Sequence, residues 1–170
     1  METRGVADLD LAKLYDRHAQ GLFTHALTIT RDRAMAEDAV HAAFERLCRR
    51  SPASVDDPAA YVFAAVRMSA VELCRRRARS RAAGRIEVPD SVVDLTASPA
   101  ARAIERERAA SVAAALEDLS GEQREVVVLR LYAGLTFAQI AAVLGEPLPT
   151  VASRYRRSLD LLRGCLEKLV

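Results

Sequence analysis

Residues 136–162 constrain the fold more than any other stretch, because their local signals agree on one arrangement. Thr136 and Gln139 have the spacing of a capping box, in which each side chain satisfies a backbone N–H that a helix start leaves free. Leu135 and Ile140 flank that box as a hydrophobic staple. The short helix that follows carries Ile140, Ala141 and Leu144, with Ala141 small where two helices must approach closely. Gly145 can take the left-handed conformation that a sharp turn requires. Val151, six residues later, can plug the core from a second helix. Ala141, Gly145 and Val151 together have the spacing of a helix-turn-helix.

The second helix of that motif is predicted to begin near Thr150. Val151, Tyr155, Leu159, Leu162, Leu166 and Leu169 fall in one stripe at a 3.6-residue period, and Ser153, Arg156, Arg157 and Asp160 fall opposite. A recognition helix places its N-terminal residues in the major groove. Arginine there can contact guanine N7 and O6, and serine can contact bases or phosphates. The competing reading is a solvated polar face on an ordinary helix.

The rest of the chain also reads as helix. Three helices form the first half: about Asp10 to Thr30, a second starting after Asp32, and a third capped by Asp57, opened by Pro58 and running to about Arg79. Residues 83–98 lack clear periodicity and read as a linker. Ser98-Pro99 signals a helix to Leu119, with Ile104, Val112, Leu116 and Leu119 apolar, and Ser120-x-x-Gln123 is a further capping box whose helix ends at Ala133-Gly134. Seven glycines and six prolines are too few for a turn-rich barrel or sandwich. The expected fold is all-α: two small helical domains, residues 1–82 and 99–170, joined by a flexible linker at 83–98, the second containing the helix-turn-helix.

The net charge of +2 hides a strong segregation. Six arginines and no acids lie between Arg75 and Arg85, whereas Ile86 to Ser98 holds Glu87, Asp90 and Asp94 and no bases. On the third helix Val62, Val66, Ser69, Ala70 and Leu73 make one mostly apolar face, and Met68, Glu72, Arg75 and Arg79 the opposite one. Arg76, Arg77 and Arg81 extend the charge past the helix end. Such a stripe suits a phosphate backbone, because the guanidinium fork donates two parallel hydrogen bonds. A charge run of this kind is also what a solvated face looks like. Cys48, Cys74 and Cys165 are scattered and odd in number, and the three histidines lack ligand spacing, so neither a metal site nor a disulfide framework is expected. No nucleophile–base pair or phosphate-binding glycine loop is present, which argues against an enzyme and for no cofactor. No apolar run approaches about 20 residues and the N-terminus lacks a signal-peptide core, so a cytoplasmic protein without membrane insertion is expected.

Four segments resemble one family. Asp32-Arg33-Ala34-Met35-Ala36-Glu37-Asp38-Ala39-Val40-His41-Ala42-Ala43-Phe44 is similar to the polymerase-binding helix of sigma factors. Tyr61-Val62 through Arg75-Arg76 resembles the helix that engages the −10 element. Leu119-Ser120-Gly121-Glu122-Gln123-Arg124-Glu125-Val126-Val127 and Thr150-Val151-Ala152-Ser153-Arg154-Tyr155 resemble the −35-binding domain. Order, spacing and length match the extracytoplasmic-function group, over roughly Leu9 to Leu166. The resemblance implies a factor that binds core RNA polymerase, through its β′ clamp and β flap, and carries it to promoter DNA. It puts Glu37, Asp38, Val40, His41 and Phe44 at the polymerase, Met68, Glu72, Arg75, Arg76 and Arg79 at the −10 element, and Arg50–Pro58 beside a flipped −10 base. It puts Thr150, Ser153, Arg156 and Arg157 at the −35 element, with Arg154 nearer phosphates. The acidic linker is expected to thread toward the RNA exit path.

Several positions depart from the family pattern. His41-Ala42 stands where Gln-Glu is usual, Tyr61 where tryptophan is common, Met68 where asparagine is usual and Ala152 where a basic residue is usual. Two alternatives stay open: a sigma mimic that sequesters an anti-sigma factor, and a stand-alone helix-turn-helix regulator. An anti-sigma factor is in either case a candidate partner.

Overall fold

A computed structural model describes residues 10–50, 55–84 and 114–167. They form six helices: α1 (Leu11–Thr30), α2 (Arg33–Arg49), α3 (Pro58–Ala82), α4 (Gly121–Leu131), α5 (Phe137–Leu144) and α6 (Leu148–Glu167). Residues 114–117 are also helical and precede α4. No described helix is long and apolar enough to cross a membrane. All but the first two residues of the linker expected at 83–98, and most of the helix expected after Pro99, lie outside the described residues.

Side-chain caps set the helix starts, those of Asp10 and Asp32 beyond the ones expected at Asp57, Ser120 and Thr136. Asp10, Asp32 and Asp57 each accept from a backbone N–H in the first turn of α1, α2 and α3, and Pro58 opens α3. Ser120 with Gln123 and Thr136 with Gln139 close complete capping boxes on α4 and α5. Gly145 ends α5 at φ 69°. Its N–H reaches the Ala141 carbonyl, which the helix end would leave bare. α3 runs on to Ala82, so Arg76, Arg77 and Arg81 lie within the helix and not beyond its end.

α1, α2 and α3 pack as one half and α4, α5 and α6 as the other. The two halves also pack on each other, α1 against α4 and α3 against α5. One apolar core runs through both: Leu22, Ala26, Phe63 and Val66 from the first half meet Val126, Leu129, Leu135 and Ile140 from the second. Gly21 marks a close approach of the two halves, because a Cβ there would lie 3.2 Å from Ala133 Cα and 3.3 Å from Phe63. Nothing in the sequence announced this shared core, across which the two small helical domains pack on each other.

Candidate nucleic-acid interface

The helix-turn-helix forms as its spacing requires. Val151 is fully buried beneath α5, and Tyr155 meets Phe137 edge-on at 5.3 Å. Thr150, Arg156, Arg157 and Asp160 are exposed on the opposite side, and Ser153 is half-buried. Ser153 Oγ donates to the Thr150 carbonyl at 3.1 Å, and Arg157 donates to the Ser153 carbonyl at 3.3 Å. These three form a local row along the outer face, beside the exposed Arg156.

Arg154 behaves differently. Its side chain is only 15% exposed, held by Glu146 at 2.7 Å and Glu122 at 3.2 Å. It braces the turn and α4 against α6, so its guanidinium is engaged inside the protein instead of standing free for phosphates. Glu146, an unusual charge in a helix-turn-helix turn, is the partner that makes this brace.

On α3 the two faces separate as read. Val62, Val66, Ser69 and Ala70 are buried, whereas Met68, Glu72, Arg75, Arg76 and Arg79 are exposed. Met68 is 64% exposed. It sits in an open groove of about 460 Å³ lined by Arg46, Arg67, Glu72, Arg75 and Arg79. Glu72 is flanked by Arg46 at 3.4 Å and Arg76 at 3.8 Å, which fixes one wall. Arg77 does not join this face. It folds back to Asp32 at 2.8 Å and pins α3 to the start of α2. The backbone N–H of Met35, with Arg77 adding to it, holds the Asp32 carboxyl below its usual range against the opposing pull of burial.

A second groove, of about 440 Å³, lies between α1 and α2. It gathers the expected polymerase-binding residues Glu37, Asp38, Val40, His41 and Phe44, together with Tyr15, Ala19 and Phe23. Val40 forms its floor and is nearly buried, and Glu37, Asp38 and His41 ring its rim. Tyr15 meets Phe44 edge-on at 5.2 Å.

Three residues that sequence reasoning passed over tie the halves together. Glu125 accepts from Arg67 Nε at 2.7 Å and lies 2.8 Å from His25 Nε2, with His25 fully buried. Burial raises the Glu125 pKa, but hydrogen bonds and charge from His25 and Arg67 outweigh it and hold the carboxyl below its ordinary value. Around this centre Gln139 donates to Asp57 at 2.9 Å and Arg31 pairs with Glu117. His25 and Glu125 are 100 residues apart, beyond the reach of any local pattern. Among the described residues no group of three or more His, Cys, Asp or Glu side chains could hold a metal ion.

Comparison with known proteins matches this geometry to a family. The sigma-70 region 2 model matches residues 14–80, and the sigma-70 region 4 model matches residues 109–162. The chain is 34% identical over 161 residues to the ECF RNA polymerase sigma factor SigL of Mycobacterium tuberculosis, covering 92% of this chain and 88% of that one. It is 28% identical over 170 residues to SigK of Mycobacterium ulcerans, covering 96% and 89%. In fold it is similar to the sigma factor RpoE solved with the anti-sigma factor NepR from Bartonella quintana, at a TM-score of 0.69 over 92% of this chain and 96% of that one. It is similar also to CnrH solved with the cytosolic domain of CnrY, at a TM-score of 0.64 over 92% and 87%. The grooved first half, the helix-turn-helix second half and these matches make the chain a member of the extracytoplasmic-function sigma factors of RNA polymerase.

Proposed function

We propose that this chain docks on core RNA polymerase through the α1–α2 groove and directs it to promoters read in two places. The α3 face with Met68, Glu72, Arg75, Arg76 and Arg79 meets the −10 element, and the exposed row Thr150, Ser153, Arg156 and Arg157 meets the −35 element. The observation that carries this reading is the placement of two separate cationic faces on the two halves, each built on a rigid helix. Arginine contacts to phosphate supply most of the affinity and contacts to base edges supply the choice of sequence. Arg154 supports the −35 face from behind, as a brace for the turn. The solved neighbours are bound to the anti-sigma factor NepR and to the cytosolic domain of CnrY. An anti-sigma factor is therefore a further candidate partner of this chain.

The test is run-off transcription with cognate core polymerase on fragmented genomic DNA, followed by sequencing of RNA 5′ ends. Starts that share a two-part upstream motif and vanish without this protein are expected. Core polymerase that stays silent across a range of salt overturns the reading.

A further inference from the structure

α3 carries six arginines and one carboxylate, Glu72. Glu72 is half exposed on the face assigned to the −10 element, with Met68 one turn before it and Arg75 and Arg76 one turn after. A face built only to hold phosphates is weakened by a carboxylate, which repels them. Stability does not account for it either. Its partners Arg46 and Arg76 stand at 3.4 Å and 3.8 Å, and exposed ion pairs of that kind contribute little in water. What a carboxylate adds to such a face is choice, because an ionised carboxylate only accepts hydrogen bonds.

Arg46 is absent from the residues that the family resemblance places at the −10 element, yet it reaches Glu72 from the last turn of α2. One of its guanidinium nitrogens donates both to Glu72 at 3.4 Å and to Ser69 Oγ at 3.3 Å. Ser69 is buried on the packed side of α3, so it gives the guanidinium a fixed anchor. The carboxylate is thus held from a second helix, beside the exposed Met68 and in the groove lined by Arg46, Arg67, Arg75 and Arg79. An unstacked base needs such a set: an apolar surface for its face, cations for its phosphates and a polar group for its edge.

We propose that Glu72 selects cytosine over thymine at one −10 position, and that Arg46 is the positioning residue that aims it. The inference rests on the assignment of α3 to the −10 element. Cytosine offers its 4-amino group as a donor, and Glu is a side chain that accepts from that amine. Thymine carries a 4-oxo group at the same place, so two acceptors would face each other with no proton between them. Met68 supplies the surface on which the ring lies, and Arg75 and Arg79 hold the flanking phosphates. Arg46 offsets the repulsion between those phosphates and the carboxylate, and keeps the carboxylate at the groove.

The test uses holoenzyme assembled from the full chain and cognate core polymerase. A promoter found by run-off transcription is randomised across its −10 element, and RNA 5′ ends are counted for each base at each position. With the wild type, one position should favour cytosine over thymine by about tenfold. Glu72→Gln should bring that ratio to within about threefold of one and leave the −35 motif as it was, because an amide holds both a donor and an acceptor and serves either base. Arg46→Ala keeps the carboxylate and loses its anchor, so its ratio should fall between the two. Anisotropy of labelled promoter fragments carrying 5-methylcytosine or thymine at that position gives a second reading. Both bases bear the same methyl group, so the comparison isolates amine from oxo group, and wild-type holoenzyme should again prefer the amine by about tenfold.

A −10 motif without a cytosine preference overturns the role of Glu72, as does a preference that Glu72→Gln leaves at its wild-type ratio. An Arg46→Ala change that lowers all starts by one factor, whatever the base, makes Arg46 a phosphate contact and overturns its positioning role. Circular dichroism guards against unfolding, and should Glu72→Gln lose helicity, the wild-type comparison of 5-methylcytosine with thymine decides alone. Wild-type holoenzyme that starts no transcripts sinks the −10 assignment and this inference with it. Starts that share a two-part motif, with the −10 half unmoved in Glu72→Gln, sink the inference alone.

Discussion

Met68 stands where an asparagine would offer paired donor and acceptor atoms to a base, and a thioether offers neither in strength. What it does offer is polarizable apolar surface, 64% of it open to solvent between arginines. Such a side chain fits a thymine methyl group or the face of an unstacked base. Met68→Asn is therefore expected to change base preference at one −10 position by about tenfold or more, the range of about 1–3 kcal/mol that a bidentate base contact supplies. Start-site sequencing with the variant reads this directly, and an unchanged −10 motif would sink the idea. Arg154 gives the opposite case, a charge at a recognition-helix position that is already spent inside the protein. Arg154→Ala should lower stability and weaken −35 binding alike for all sequences, because it strands Glu146 at the turn. A change in base preference at −35 with unaltered Tm would show instead that Arg154 touches bases.

At the scale of elements, the helix-turn-helix depends on one residue more than on any other. Gly145 sits at φ 69°, and an L side chain there is strained by about 1–2 kcal/mol. Gly145→Ala should lower Tm by several degrees while the helical spectrum at low temperature stays native, and an unchanged Tm would mean that the turn relaxes. Arg124 does comparable work before α4. Its nearly buried guanidinium donates to the carbonyls of Leu116, Glu117 and Leu119 at 2.7–3.0 Å, closing the end of the helical segment that precedes α4. Its location inside a family motif had suggested only resemblance. The elements themselves were legible because caps, staples and stripes act over three or four residues, and a sequence displays such intervals openly. The faces of α3 and α6 were legible for the same reason. The ion pairs of Arg77 and Arg154 could not be read from the sequence, because each residue looks like its exposed neighbours in composition. Their partners, Asp32 and Glu146, lie 45 and 8 residues away, where spacing carries no signal.

At the scale of the whole molecule, the shared core and the His25–Glu125–Arg67 contact were invisible in the sequence, since both join segments that no period relates. Their consequence is a pH dependence with a definite sign. The folded pKa of Glu125 lies below its ordinary value of 4.5. A carboxyl lowered in this way contributes stability that is fully present above its unfolded pKa and is lost as the pH falls through the folded one. The contact therefore holds at neutral pH and loosens below 4.5. Other acids cross the same seam, Glu117 facing Arg31 and Arg124, and Asp57 facing Gln139. Glu117 is half exposed and water screens its pairs, so it contributes less than buried Glu125. On acidification from pH 7 the radius of gyration should thus rise before helicity falls, in one step below pH 4.5. In Glu125→Gln that step should be missing, because the titrating group is gone and the halves are already loosened. An identical acid step in the variant would remove Glu125 from the centre of the seam between the halves.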